Sequence, residues 1–191
     1  MKKLNFAAIL AALVIGIGTL SGATANAAGK TDRPSTPQSY SRLSKEVRKK
    51  LLTLPYYGVF DNLAYSINGN TVTLHGQVVR PSTKSDAARN VATVPGVAKV
   101  VNNIEVLPVS GFDDSIRIRT LRALERTGSL YRYFIGSNPS LHIVVDRGHV
   151  TLTGVVSSKL DRQLAYMTAQ QVPGAFSVTN DLRLDGEGEA R

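Results

Sequence analysis

The 191-residue chain contains no cysteine, and this absence excludes several kinds of chemistry. Disulfide bonds cannot stabilise the fold, and metal centres or nucleophiles that depend on a thiolate are ruled out. A lipid anchor attached through a cysteine is not expected either. The fold must therefore be stabilised by apolar side chains, which is demanding for a small module with little interior volume.

Acidic residues are also scarce, with 14 Asp and Glu against 23 Lys and Arg. They are scattered, so neither a Ser-His-Asp set nor a phosphate-binding loop can be recognised. Hairpin register pairs His75 with Ala64 and His142 with Thr153, which places both histidines on outward sheet faces of different modules. His149 does not join them in a metal-ligand pattern. We therefore expect no catalytic residue, no metal site and no cofactor.

There is one long apolar run, from Leu4 to Leu20, between Lys2-Lys3 and Ala25-Asn26-Ala27. This order is typical of a secretory signal peptide that is cleaved before Ala28. The run is somewhat short for a membrane span, although an uncleaved anchor remains the alternative. We expect an exported, soluble, periplasmic protein with no transmembrane segment in the mature chain.

The full chain has a formal net charge of +9, and loss of the two signal-peptide lysines leaves about +7. A basic exported protein meets anionic lipid headgroups, acidic wall polymers or acidic proteins rather than nucleic acid. The charge favours anionic partners without choosing among them.

One short pattern occurs twice: Val72-Thr73-Leu74-His75-Gly76-Gln77-Val78 recurs as residues 150–156, 78 positions later. The same spacing relates Ala87 to Ala165, Val94-Pro95-Gly96 to Val172-Pro173-Gly174, and Asn102 to Asn180. A fixed offset over about 35 residues indicates two copies of one module. In each pattern alternate residues are apolar, which predicts a half-buried strand. We expect Gly76 and Gly154 to face the core and to permit close helix–sheet packing, a structural role that we favour over ligand approach.

Signals around each repeated strand predict the order helix–strand–strand–helix–strand. Hairpin turns at Asn68-Gly69-Asn70 and Asp146-Arg147-Gly148 precede the strand. The helices that follow, 83–93 and 160–171, end where Pro95-Gly96 and Pro173-Gly174 interrupt them. The predicted fold class is α+β, with two tandem αββαβ modules, each a three-stranded mixed sheet carrying two helices on one face.

The predicted domains are a signal peptide at 1–27, a flexible linker at 28–43, a first module at 44–107, an interdomain linker at 108–113, a second module at 114–185 and a disordered tail at 186–191. The first helix should be capped by Ser41 or Ser44, and its core-facing residues should be Leu43, Val47, Leu51 and Leu54. In the second module we expect Asp113-Asp114 to cap the helix, and Ile118, Leu121 and Leu124 to face the core.

This pattern resembles the BON domain, a family named for bacterial osmotically inducible and nodulation proteins. The likeness covers both copies and rests on Val72-x-Leu74-x-Gly76-x-Val78 followed by Val94-Pro95-Gly96-Val97. The second copy departs by having Ala175 in place of the last valine and by a loop about five residues longer. The resemblance implies an αββαβ fold, a cell-envelope setting and no catalysis. It also implies binding to phospholipid surfaces or envelope components, often in osmotic or other stress protection.

Residues for such binding can be proposed on the first helix of the second module. Arg119, Arg122 and Arg126 share one face, with Arg117 at its border, and the following loop carries Tyr131, Arg132, Tyr133 and Phe134. Arginines attract anionic headgroups, and amphipathic rings settle at the membrane interface. Alternatively, the arginines form a solvated helix face and the rings cap the core. Secondary candidates in the first module are Lys45, Arg48, Lys49, Tyr56 and Tyr57.

The sequence thus predicts a non-enzymatic envelope protein that binds anionic phospholipid surfaces reversibly. The alternative is a periplasmic adaptor that binds an envelope protein or cell-wall polymer through an exposed sheet edge or face.

Overall fold

The computed structural model describes residues 37–186. The predicted signal peptide and most of the predicted linker lie outside this range. Within it, no helix is both long and apolar enough to cross a bilayer. The elements are α1 (Pro37–Leu52), β1 (Asn62–Asn68), β2 (Thr71–Val78), α2 (Pro81–Ala92), β3 (Lys99–Val106), α3 (Gly111–Glu125), a short 3-10 helix (Leu130–Phe134), β4 (Leu141–Asp146), β5 (His149–Val156), α4 (Lys159–Gln170) and β6 (Ser177–Leu184).

The two sheets confirm the predicted αββαβ modules. In each sheet the repeated strand lies in the middle, antiparallel to the strand before it and parallel to the strand after it, in the orders β1-β2-β3 and β4-β5-β6. The predicted hairpin registers are also correct, because Ala64 pairs with His75 and His142 pairs with Thr153. The central position of the repeated strand explains its strict alternation, since one of its faces must meet the helices.

Each sheet packs against its own apolar core. In the first module, the α1 side chains Leu43, Val47 and Leu51 are buried against Val72 and Leu74 of β2, as the helical spacing predicted. Burial of one such side chain contributes roughly 1.5–3 kcal/mol relative to exposure. Helix α1 itself begins at Pro37, so the expected cap at Ser41 or Ser44 is wrong.

Ser44 lies inside α1, where its hydroxyl is 2.9 Å from the hydroxyl of Tyr65. Residues 37–43, which the sequence assigned to the flexible linker, belong to this helix. Proline suits the first position of a helix because its missing N–H would have no partner there.

Helix α3 is turned about its axis relative to the prediction. Ile116, Thr120 and Leu124 face the core, whereas Ile118 is 40% exposed and Leu121 is half-buried. Its N-cap is Ser110, whose hydroxyl accepts the Asp113 N–H at 3.2 Å.

Asp113 is 1% exposed, and its carboxylate accepts the backbone N–H groups of Arg147 at 3.0 Å and Gly148 at 2.8 Å. The aspartate therefore ties α3 to the β4–β5 hairpin instead of capping the helix, which corrects the sequence-based assignment.

The predicted role of Gly76 and Gly154 is also wrong. Both have positive φ, +114° and +116°, and a side chain on either would collide with a backbone carbonyl oxygen, that of Asn62 for Gly76 and that of Ser140 for Gly154. The same Ser140 oxygen accepts the N–H of Val155 at 2.8 Å. Glycine is thus required by the backbone of the neighbouring strand and by its own conformation, not by contact with a helix.

The modules dock through the loop that precedes β1. The backbone N–H of Ile143, on the edge strand β4, donates to the carbonyl oxygen of Val59 at 2.8 Å. Val59 and Phe60 pack against the core of the second module. The same loop covers His142, which is 8% exposed, so the expectation that this histidine lies on an open sheet face is wrong.

The backbone constraint at the glycine that both repeats share leads to a stability prediction. Gly154→Ala should lower the free energy of unfolding by about 2–4 kcal/mol, because alanine is strained at φ +116° and its methyl group collides with Ser140. Urea unfolding followed by circular dichroism measures the change. The control Gly111→Ala introduces a methyl group into open space at ordinary φ and should change stability by less than about 0.5 kcal/mol. Equal midpoints for the two variants would contradict the assignment.

Candidate functional site

A shallow groove of about 510 Å³ lies where α3 meets the C-terminal end of α4. Three of its lining residues are Arg119, Arg122 and Arg126, and all three side chains are exposed, as the helical spacing predicted. The remaining lining residues are Ala123, Thr127, Thr168, Gln171, Val172 and Pro173. The groove is therefore lined by three cations, small polar groups and a few apolar atoms, with no acidic residue.

None of the three guanidinium groups forms an ion pair within residues 37–186. The N–H at Nε of Arg119 donates instead to the backbone oxygen of Ser115 at 3.1 Å. Unpaired like charges on one helix face repel each other at spacings of three and four residues. An anion placed over this face would relieve the repulsion.

Two exposed aromatic rings that the sequence analysis did not select lie beside this face. Phe112 is 47% exposed and Phe176 is 69% exposed, and their ring centroids are 5.6 Å apart. Phe112 lies near Arg119, because a Cβ at Gly174 would be 3.5 Å from Nη2 of Arg119 and 3.7 Å from Cε2 of Phe112. Comparison of the two repeats could have identified Phe176, because the equivalent residue of the first module is the small Ala98.

Arg117, in contrast, is not a surface residue. It is 2% exposed, and its Nη1 donates to Asp114 at 2.5 Å while its Nη2 donates to the backbone oxygen of Val145 at 2.6 Å. This side chain holds α3 against β4. The structure therefore removes Arg117 from the lipid-binding candidates, because its charge is used inside the module.

Most of the predicted aromatic loop is also used internally. Tyr133 is 7% exposed and donates to Oδ2 of Asp161 at 2.8 Å, and Arg132 donates to the same oxygen at 2.6 Å. The Ser158 hydroxyl also donates to this oxygen, at 2.6 Å, and it lowers the pKa of the Asp161 carboxyl more than any other contact does. Phe134 is half-buried against the core. The core-capping interpretation is thus confirmed for Tyr133 and Phe134, and of the three rings only Tyr131 is exposed, at 55%.

The secondary candidates in the first module divide in the same way. Lys45, Arg48 and Lys49 are exposed on α1, and Tyr56 is 68% exposed with the guanidinium of Arg80 4.8 Å from its ring centroid. Tyr57 instead belongs to the junction between the modules, where burial raises its pKa to about 12.

The three histidines lie in three separate environments. His75 is exposed beside Ser66, His142 is buried at the junction, and the Nδ1 atom of His149 is 2.7 Å from the Ser177 hydroxyl. No group of three potential metal ligands occurs between residues 37 and 186.

Comparison with known proteins agrees with the architecture. The family model described as BON domain matches residues 40–108 and 113–186. Among curated proteins the sequence has no match.

Two solved structures, both of CdsD from Chlamydia trachomatis, are similar to the chain. One is described as the C-terminal domain of CdsD, the structural protein of the Type III secretion system. It is 13% identical to this chain, with a TM-score of 0.29, and the match covers 76% of this chain and 65% of that structure. The other, also titled as CdsD, is 14% identical, with 77% and 95% covered and a TM-score of 0.28. Both superpositions are too loose to carry information on function.

The family match covers both sheets, both cores and most of the described residues. Domains of this family are non-catalytic binding modules of envelope proteins that are typically periplasmic. The chain thus belongs to the BON domain family, with two such domains in tandem.

Proposed function

We propose that this protein binds anionic phospholipid surfaces reversibly through one face of its second module. We define this binding face as Arg119, Arg122 and Arg126 together with Phe112 and Phe176. The observation that carries the proposal is that the Arg119 guanidinium and the Phe112 ring both lie close to Gly174. Unpaired cations beside exposed rings match a membrane interface, where phosphates lie next to apolar chains.

The expected strength is modest. Basic side chains near an anionic membrane contribute about 1 kcal/mol each, so the three arginines supply about 3 kcal/mol. Partial burial of the two rings adds about 1–2 kcal/mol. Because the arginines act by charge, the attraction should weaken at ionic strengths above 0.1 M, where the screening length is below about 10 Å. Such binding suits a chain without cysteine, which cannot be acylated at a thiol.

The second module is a better candidate than the first. Helices α1 and α3 can be aligned by their buried residues, Leu43 with Ile116 and Leu51 with Leu124. In this alignment Glu46 is equivalent to Arg119. Likewise, Lys49 is equivalent to Arg122 and Thr53 is equivalent to Arg126. The first module therefore has mixed charge at these positions, which weakens its attraction to anions. From the family resemblance we also propose an exported, periplasmic protein that acts in envelope stress protection.

The second candidate function is an adaptor that binds an envelope protein or cell-wall polymer. It is favoured by the positions of β3 and β6, which lie at the outer ends of their sheets. Edge strands can accept an extended segment of a partner through backbone hydrogen bonds. Recovery of one stoichiometric protein partner by crosslinking, without vesicle binding, would support this function over the first.

The arginines are tested by the triple variant Arg119→Ala, Arg122→Ala, Arg126→Ala. Its affinity for vesicles rich in phosphatidylglycerol should fall about 100-fold, since about 3 kcal/mol is lost, and co-sedimentation at low and high salt measures the fall. The matched control, Lys45→Ala, Arg48→Ala, Lys49→Ala, removes the same charge from α1 and should retain most of the binding. Equal losses in the two variants would mean that net charge, not the binding face, attracts the vesicles.

The aromatic pair is tested by fluorescence, because the chain has no tryptophan. Phe176→Trp should show a blue-shifted emission with anionic vesicles and quenching by lipids brominated on their acyl chains. The control Leu160→Trp, at the opposite end of α4 where Leu160 is 75% exposed, should show neither effect. Quenching of both tryptophans, or of neither, would argue against insertion at Phe176.

A further inference from the structure

The junction between the modules buries one histidine in contact with the other module. His142 lies on β4, its Nδ1 is 3.3 Å from the Gly58 carbonyl oxygen, and its Nε2 is 3.4 Å from the Tyr57 hydroxyl. The two rings are 5.5 Å apart. Because a carbonyl oxygen only accepts, Nδ1 carries the proton, and in the neutral ring Nε2 can accept from the Tyr57 hydroxyl. The contact therefore fits a neutral imidazole.

The junction has further contacts besides this histidine. It includes the backbone hydrogen bond from Ile143 to Val59, 2.8 Å long, and the packing of Val59 and Phe60 against the second core. Each module has its own sheet, and the fully buried residues of each core come from that module alone. We therefore expect both folds to survive separation, so that a single group at the junction can shift the docking equilibrium.

We propose that this junction is an acid-sensitive contact, in which protonation of His142 separates the first module from the second while both remain folded. Separation uncovers the face of β4 that carries His142, whereas Leu141, Ile143 and Val145 stay in the core of the second module. It also dismantles the cleft of about 500 Å³ at the junction, whose walls come from both modules and include Phe60, Arg80 and Arg117.

The charged and titratable groups around His142 do not compensate a positive ring. Tyr57, whose pKa is raised to about 12, stays neutral, and Arg48, the group of α1 that acts electrostatically on Tyr57, is itself a cation. The carboxylate of Asp61 is used by the N–H groups of Gly58 at 3.1 Å and Val79 at 2.8 Å.

Asp181 is in the same cross-strand row as His142, but Thr153 lies between them, which separates the two by about two strand spacings, or roughly 9–10 Å. Burial accordingly lowers the pKa of His142.

The direction of the pH effect follows from this lowered pKa. The docked state prefers the neutral ring, whereas the undocked ring has an ordinary pKa of about 6.5. Docking is therefore at full strength above pH about 6.5 and weakens as the pH falls below it. One proton is linked to the opening, so the docking constant falls by at most about tenfold per pH unit until the pKa of the docked ring is reached.

Because the chain has no cysteine, spin labels can be attached at cysteines introduced one per module. Ala92→Cys and Gln163→Cys place one spin label on an exposed site of each module, and the distance distribution is measured from pH 8 to pH 5. We expect a single narrow distance at pH 8 and a second, longer population below pH about 6.5, with unchanged far-ultraviolet circular dichroism. Absence of the longer population, or its appearance only together with loss of secondary structure, would overturn the proposal.

Variants identify the group that titrates. His142→Gln should keep one distance down to pH 5, while His75→Gln, which changes an exposed histidine on the other sheet, should behave as the parent chain does. Asp61→Asn should also keep the acid response, and its loss there would assign the response to Asp61 instead. If His142→Gln is undocked at every pH, histidine nuclear magnetic resonance on the parent chain decides. His142 must then titrate below the ordinary histidine pKa of about 6.5, and titration at that value would overturn the proposal.

Discussion

Two buried polar side chains, Asp113 and Arg117, set the rotation of α3 about its own axis. They are four residues apart and therefore lie on the same side of the helix, where Asp113 accepts two N–H groups of the hairpin and Arg117 donates to Val145. Buried groups of this kind are costly unless they are paired, so the helix cannot turn without losing these bonds. The orientation of every other α3 side chain follows from them.

The rotation of α3 also determines the exposed chemistry of the second module. With Asp113 and Arg117 inside, Arg119, Arg122 and Arg126 point outward. Phe112, one residue before Asp113, remains half-exposed and meets Phe176 from the loop before β6. The binding face is therefore assembled from two segments that are far apart in sequence, and the buried pair is what brings them together.

The two modules share one fold but differ in how they use polar groups. In α1 the position equivalent to Arg117 is Ser44, which bonds to Tyr65, and no arginine row is present. The first module contributes instead the loop that docks on β4 and buries His142. Duplication thus allowed one copy to provide a charged face while the other provides the contact that holds the pair together, and the two roles lie on different surfaces.

The sequence alone determined the periodic features of this protein. A strand buried on one face requires apolar side chains at every second position, and a helix packed on one side requires them at intervals of three and four. Residues 72–78 and their repeat therefore revealed the central strands, the hairpin registers and both αββαβ modules. The exposed arginine row could be read from the same helical spacing.

Only the tertiary structure decided which polar groups are buried. Arg117 and His142 look like surface residues in the sequence, and for Tyr133 the sequence left a membrane-binding role and a core-capping role open. Each is buried by a partner distant in the chain, namely Val145 for Arg117, Gly58 for His142 and Asp161 for Tyr133. Likewise, nothing local to Gly154 indicates that the Ser140 carbonyl approaches it. The periodic pattern of a segment shows which of its side chains face the core. A buried hydrogen bond depends instead on two segments that lie at a definite distance from each other, and the sequence of neither segment specifies that distance.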